Sequence, residues 1–449
     1  MGRFHLAASR KAARVMVPRV MSTRVMSTRV MATRVMVDRV MEDSDGFPIP
    51  PLAQQIFALA TDAGSEARIV GGAVRDFLAG RQPGDIDMAV AMPIEQAAEI
   101  FRKAGLRVIE TGLRHGTVTV RAAGGASAPA AIEVTQTRID VDTDGRHATI
   151  AFSADWQQDA NRRDFTINAL YVCADGSIAD PLDGEADLRG GRLRFVGDAG
   201  QRVREDALRM LRYCRLMPTF ASAGPDPEAV AALRAHAGLA TALSGERVAS
   251  ELARLLVAPG AGDAIALMRD CGVDRAALGL SVDPSLLAHM PPIDPAGPFA
   301  AEGWLAALAL IMPSGSAQPL ADRLRLSRRD AKSLSMFDQL GKPQLAPQLA
   351  PPPDDPTIWQ RAIWPLRRDG VNAGLVYVVA TARTGGDVDL AHAATLACWD
   401  PPKCPISGTD LLSHGVDNGP ALGQMLDTLE QKWVDSSFTL TRKELLAGL

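Results

Sequence analysis

Asp85 and Asp87, in the run GDIDMAV from Gly84 to Val90, are the residues whose type and spacing point most directly to chemistry. On a strand alternate side chains share a face, so the two carboxylates point one way while Ile86, Met88 and Val90 point the other. Two carboxylates about 6 Å apart at an effective dielectric of about 20 repel by roughly 3 kcal/mol. A divalent cation turns that repulsion into attraction, and Mg²⁺ takes a few carboxylates together with water and substrate phosphates. A solvated strand edge would also accommodate two such acids, so the pair needs company before it means catalysis.

Neighbouring stretches supply that company. In IVGGAVRD, Gly71 and Gly72 follow an apolar strand, where glycine lets the backbone approach a ligand and the next helix opens as an anion site. Arg75 adds a cation beside that turn. In AIEVTQTR, Ile132 and Val134 alternate with Glu133 and Thr135, so Glu133 can stand beside the aspartates from a neighbouring strand. Three carboxylates around one or two metals suit two-metal phosphoryl transfer. An exposed strand acid is the alternative for Glu133.

Farther along lie NRRDFTINAL (Asn161 to Leu170) and REDALRMLRYCR (Arg204 to Arg215). Read as one helix, the latter buries Val203, Ala207, Met210, Leu211 and Cys214 and presents Asp206 and Arg209 on another side, continued by Arg212. An exposed i, i+3 ion pair is one reading. The sharper one is base recognition. A carboxylate accepts from the exocyclic amine of cytosine or adenine, and an arginine donates to their ring acceptors. Guanine and uracil present a carbonyl where the carboxylate needs a donor.

The elements that must position these groups can be read from periodicity. A helix is expected over Leu52–Ala63, a strand at Ala67–Val70, and a helix over Pro93–Ala104 with Ile94, Ala97, Ala98 and Phe101 on one face. Strands are expected at Leu106–Glu110, Thr117–Arg121 and Ala131–Thr137, and helical patterns dominate after residue 196. The fold class is therefore α+β: a mixed head on a long all-α neck, body and tail. The expected divisions are an arm at 1–46, a head at 47–160, a neck at 161–260, and a helical body and tail at 261–449.

Composition fits this picture. Of 449 residues, 47% are hydrophobic and 22% charged, ordinary for a globular chain of several domains. No apolar run approaches the ~20 residues needed to span a membrane, so no membrane partner is expected. The five cysteines form no CxxC pair, and reduced thiols in the cytoplasm are the expectation. Residues 1–37 hold eight Lys/Arg and no acid against a total charge of −4, so the remainder carries −12. Phosphate binding on such a body is confined to local basic patches. From Arg14 to Met41 the triplet RVM recurs every five positions, a period that builds neither a helix face nor a strand face. This acid-free segment mimics a transit peptide, but a repeat-generated disordered extension is expected, with Met36 or Met41 as possible starts.

GGAVRD, DIDMAV, RRDFTINAL, DPLDG (Asp180–Gly184) and EDALRMLR stand in the order and approximate spacing of the class II tRNA nucleotidyltransferases, the CCA-adding enzymes, and the related bacterial poly(A) polymerases. The chain resembles that family over roughly residues 68–215. The resemblance implies a polymerase-beta-like nucleotidyltransferase head, a nucleotide-reading neck, and helical domains that hold tRNA. It implies that Asp85 and Asp87 bind catalytic Mg²⁺, two ions in all, with Glu133 as a further strand carboxylate. Gly71, Gly72 and Arg75 would meet the triphosphate, Arg162 would bind nucleotide, and Asp164 would lie near the ribose 2′-hydroxyl. Asp206 and Arg209 would pair with CTP and ATP, supported by Arg212. The run from Pro405 to Trp433 also resembles the end of many such enzymes.

RIDVDTDGRH (Arg138 to His147) imitates a calcium loop, but Ala151 replaces the bidentate glutamate at its twelfth position, so a polar loop between strands is expected instead. Three functions compete. Addition of C, C and A to tRNA 3′ ends by a monomer or weak homodimer is the leading one. A poly(A) polymerase or A-only adder is the neighbouring alternative, and no basic C-terminal tail supports it. A non-catalytic RNA-binding protein would be expected to have lost Asp85 and Asp87, and both are intact.

Overall fold

The computed structural model describes residues 46–122, 131–143, 148–294, 296–340, 349–350, 356–368 and 370–447. The RVM arm, Asp144 to His147 of the calcium-like loop, and most of the proline-rich stretch at 343–356 lie outside them.

The head opens with helix Pro51–Asp62, whose first position is a proline, suited by its fixed φ. That helix buries Leu52, Ala53, Ile56, Phe57 and Ala60. The chain then runs through β1 (Ala67–Val70), helix Gly72–Leu78, β2 (Asp87–Val90) and helix Ile94–Lys103. Pro93 caps this last helix, which therefore starts one position later than the sequence suggests, and Ile94, Ala97, Ala98 and Phe101 form the buried face as expected. Next come β3 (Arg107–Gly112), β4 (Thr117–Arg121), β5 (Ala131–Gln136), the ribbon β6 (Arg138–Thr143) and β7 (Ala148–Phe152), and the short β8 (Tyr171–Val172) and β9 (Ile178–Ala179). Seven strands form one sheet in the order β3-β4-β5-β2-β1-β8-β9, while β6 and β7 pair separately. The sheet thus draws its last two strands from beyond residue 160.

β2 and β5 are the parallel pair, with Asp87 opposite Glu133. The pleat then sorts the side chains. Ile69, Met88, Val90, Val118, Val120, Ile132 and Val134 turn to one face and are buried in the main core, which includes the helices Pro51–Asp62 and Ile94–Lys103. On the opposite face Val70, Ala89 and Tyr171 pack with Ala160 of helix Trp156–Asn161. That six-residue helix is short, and Asp87, at the strand's first position, is exposed.

After β9 every described element is helical, as the sequence suggests. The stretch read as one base-reading helix is two. Helix Ala199–Glu205 ends at Asp206, which is extended with φ −150° and ψ 105°, and helix Leu208–Phe220 starts afresh. An aspartate is a poor helix-interior residue because its side chain competes for nearby backbone donors. Here Asp206 Oδ1 accepts from the Leu208 amide at 3.1 Å and starts the second helix. The body centres on Gly303–Ile311, buried at every position except the half-buried Trp304, and the tail has its own cluster of Trp364, Ile406, Leu411, Leu429, Trp433, Val434 and Leu445.

Candidate active site

The acidic rim comes first. β2 begins at Asp87, so Asp85 sits in the bend before the strand and not on it. The expected alternation between the two aspartates is replaced by a lateral pairing, Asp87 beside Glu133 across parallel strands. All three carboxylates are exposed. Asp87 has nonetheless one side pressed against the sheet, and that desolvation, then Glu133, then Asp85, push its pKa up to about 6, with Arg163 opposing. Among the described residues no three carboxylate, imidazole or thiolate groups stand together so as to hold a metal ion by themselves. An open set of hard oxygen donors that repel one another fits a cation that takes its other ligands from water and substrate phosphates.

Behind the rim lies the glycine turn. Gly71 has φ 78°, a left-handed conformation that favours glycine, and precedes helix Gly72–Leu78. Its N–H donates to the Leu170 carbonyl at 3.3 Å, which ties the turn to the chain after β7, and the first helical amides have no intrahelical acceptor. The expected cation of this turn, Arg75, points inward. It stacks on the Phe220 ring at 4.4 Å and donates to Asn168 Oδ1 at 2.6 Å and to Asp76 Oδ1 from both Nε and Nη2. A different arginine stands at the rim. Arg163 Nη1 is 3.5 Å from where a Cβ on Gly71 would stand, and Arg163 is the charge that opposes the upward shift of Asp87. Sequence reasoning selected Arg162 of the RRD triplet and passed over Arg163. The two are indistinguishable in composition, and only the fold turns one toward Gly71.

Both arginines are fixed by Asp159, whose side chain is fully buried. Arg162 Nε reaches Asp159 Oδ1 at 2.8 Å and Arg163 Nη2 reaches Oδ2 at 2.9 Å, while the Tyr171 hydroxyl donates to Oδ2 at 3.0 Å. Burial would raise the Asp159 pKa, but Arg163 and Arg162 outweigh it and hold it below the usual carboxylate range. Asp159 was not singled out from sequence, since no spacing rule marks an acid that serves two adjacent arginines.

A second chain of contacts joins the glycine turn to the neck. Asp164 Oδ1 accepts from Asn168 Nδ2 and from the Phe165 amide, both at 2.9 Å, and Asp164 Oδ2 lies 2.9 Å from Arg212 Nη2. Asn168 in turn holds Arg75. Burial pulls Asp164 upward, but Arg212, Asn168, the Phe165 amide and Arg209 together keep it below the ordinary range. Arg212 therefore braces Asp164 here.

Asp206 and Arg209 stand at the break between the two neck helices, half-exposed, but they do not pair through their side chains. Arg209 Nη1 donates to Glu205 Oε2 at 2.7 Å and to the Arg202 carbonyl, and its Nη2 donates to the Arg162 carbonyl at 3.2 Å. Asp206 Oδ2 pairs with Arg247 at 2.7 Å. The Glu205 contact follows i, i+4 helical spacing, whereas the Arg247 contact, 41 residues away, has no local signal.

The arrangement is an open acidic rim beside a glycine turn, one cation against that turn, and a separate acid and arginine for hydrogen bonding to a planar ligand. That suits transfer of a nucleotide from its triphosphate to a hydroxyl.

Residues 67–194 match the Poly A polymerase head domain, and residues 225–276 match a probable RNA and SrmB- binding site of polymerase A. The chain is 33% identical over 399 residues to the mitochondrial CCA tRNA nucleotidyltransferase 1 of Danio rerio, covering 86% of this chain and 87% of that protein. It is 29% identical over 391 residues to the CCA-adding enzyme of Lactobacillus johnsonii, covering 82% and 89% respectively. Among solved structures, the CCA-adding enzyme of Bacillus stearothermophilus in complex with CTP superposes with a TM-score of 0.66 at 27% identity, covering 88% of this chain and 95% of that one.

Proposed function

This chain belongs to the family of CCA-adding tRNA nucleotidyltransferases, and from that premise we propose that it adds C, C and A to the 3′ end of tRNA, using CTP and ATP and releasing pyrophosphate. The observation that carries the reading is the rim itself, where Asp87 and Glu133 lie side by side, Asp85 leads into the strand, and Arg163 backs the glycine turn.

The proposed roles follow from position and chemistry. Asp85 and Asp87 are the ligands of two Mg²⁺ ions, with Glu133 as the adjacent strand acid that helps orient the attacking ribose hydroxyl. When bound, the metal lowers the cost of deprotonating that hydroxyl and neutralises charge on the leaving pyrophosphate. Gly71 and Gly72 let the triphosphate approach the backbone. Arg163, and Arg162 beside it, supply positive charge, and both are kept in place by Asp159. Asp164, braced by Arg212, orients the ribose. Asp206 accepts from the exocyclic amine shared by cytosine and adenine, and Arg209 donates to their ring acceptors. Arg75 acts from below by fixing Asn168 and the turn.

The partner proposed for the helical body and tail is tRNA. Among the described residues no helix is long and apolar enough to cross a membrane. All five cysteines are free, which supports work in a reducing compartment such as the cytoplasm.

The test uses the full chain with Mg²⁺, a tRNA lacking its 3′ CCA, and each labelled nucleoside triphosphate separately. CMP incorporation from CTP alone, followed by a single AMP once ATP is supplied, is the expected result. A long tail from ATP with no use of CTP would move the chain to the poly(A) branch.

A further inference from the structure

The residue proposed to read the base sits where its own helix cannot hold it. Asp206 is extended between two helices, and Arg209, its expected partner, is engaged by Glu205 and two backbone carbonyls. Within the break only one carboxylate oxygen is held, Oδ1 by the Leu208 amide, so the orientation of Oδ2 depends on a partner from outside it. Among the described residues, the cation that pairs with it is Arg247, with Nη2 at 2.7 Å from Oδ2, while Oδ1 accepts from the Leu208 amide. Both oxygens thus have one partner each, and the carboxylate plane is set.

Arg247 is itself well anchored. It lies in the first turn of helix Gly245–Leu256, where the Ser244 hydroxyl accepts from its amide at 3.4 Å. Gly245 lets the body chain press against this turn, since a Cβ there would stand 2.3 Å from the Arg323 carbonyl oxygen. Glu246 then pairs with Arg325 of the body at 3.0 Å. The start of this helix is fixed between body and neck, with Arg247 reaching from it to Asp206.

We propose that Arg247 is a positioning residue for base selection: its guanidinium orients the Asp206 carboxylate so that a free lone pair faces the exocyclic amine of the incoming base. The inference rests on the base-reading role proposed above for Asp206. A half-exposed ion pair of this kind contributes little to stability, so a purely structural role predicts almost no effect of its loss. A positioning role predicts lost discrimination, because a carboxylate free to rotate no longer penalises a carbonyl placed where an amine belongs.

The experiment compares kcat/KM for CTP and UTP on tRNA lacking its CCA end, in the wild type, Arg247→Ala, Arg247→Lys, Asp206→Ala and the double Asp206→Ala/Arg247→Ala variant. Arg247→Ala is expected to lower the preference for CTP over UTP about tenfold, chiefly through a raised KM for CTP. Arg247→Lys should restore part of it, and the double variant should match Asp206→Ala alone. Arg247→Met, which keeps the aliphatic stem, guards against a packing artefact, and unchanged thermal unfolding confirms the fold. Wild-type preference in Arg247→Ala, with preference lost in Asp206→Ala, overturns the inference alone. Additive effects in the double variant overturn it as well, since Arg247 would then act elsewhere. Preference retained in Asp206→Ala overturns the base-reading role on which it rests.

Discussion

Asp85, Asp87 and Glu133 on the head's sheet rim have no ion-paired cation among the described residues, whereas Asp159 behind the rim and Asp164 and Asp206 toward the neck each hold at least one arginine. The same residue types behave in opposite ways. On the rim, desolvation and then repulsion from Glu133 and Asp85 push Asp87 up to about 6; at Asp164, burial is outweighed by Arg212 and Asn168 and the group stays low. The rim's carboxylates repel one another, as expected of the metal site proposed for them. The neck is already satisfied, and its charges are oriented before any nucleotide arrives, so binding there exchanges partners and does not create them. On the proposed reading, the rim supplies affinity for metal and the neck geometry and choice.

Deleting a member of each region separates these roles most sharply. Asp87→Ala removes a proposed metal ligand and should cut the rate of nucleotide addition by on the order of 10³-fold, while tRNA binding and unfolding temperature stay near wild type. Single-turnover incorporation and filter binding check this, and full activity would sink the metal assignment. Asp159→Ala should add a loss of stability. It leaves two nearly buried arginines without their carboxylate, so about 3–5 kcal/mol is expected to be lost by denaturant unfolding, and activity should fall as well because Arg162 and Arg163 are no longer held in place. An Asp159→Ala protein as stable as wild type would show that the Arg162–Arg163 clamp is not structural.

How legible these regions were in sequence differs for a physical reason. The rim follows from local rules: an apolar strand, two glycines and a DxD define their own neighbourhood, and the period of two sorts Met88 and Val90 from Asp87. Asp85 fell outside the strand because periodicity does not mark where pairing starts. The neck resists the same treatment. The periodicity of Val203, Ala207, Met210 and Leu211 is helical across Asp206, yet the chain breaks there, where the aspartate side chain accepts from the Leu208 amide. Arg247 and Asp206 are 41 residues apart, as Arg75 and Asn168 are 93 apart, and no local pattern joins them. Arg163 and Arg162 differ only in which way the chain faces after helix Trp156–Asn161. Long-range ion pairs are set by tertiary packing, which a single sequence does not display.

Asp206→Ala gives an intermediate effect. Base choice should relax by about 10- to 100-fold, read as the ratio of kcat/KM for CTP and UTP, with metal dependence unchanged. If metal dependence moved instead, the division between an affinity rim and a choosing neck would fail.

The smallest effect probes the rim without any catalysis. Asp87→Asn removes one charge from a repelling set, so in metal-free buffer the variant should unfold at a temperature about 1–2 °C above wild type near pH 7.5. The sign follows from linkage. Asp87 titrates near 6 when folded against an ordinary 3.8, so the folded state binds the proton more tightly. The ionised carboxylate therefore subtracts stability fully above pH 6, and that penalty fades as pH falls toward 4. The gap between variant and wild type should close over the same window, as thermal scans at several pH values will show. Adding Mg²⁺ and CTP at pH 7.5 should invert the order, because only the wild type gains the binding energy of a complete rim. A gap that ignored both pH and ligand would mean that Asp87 is merely a solvated edge residue and that the contrast with the neck does not reflect function.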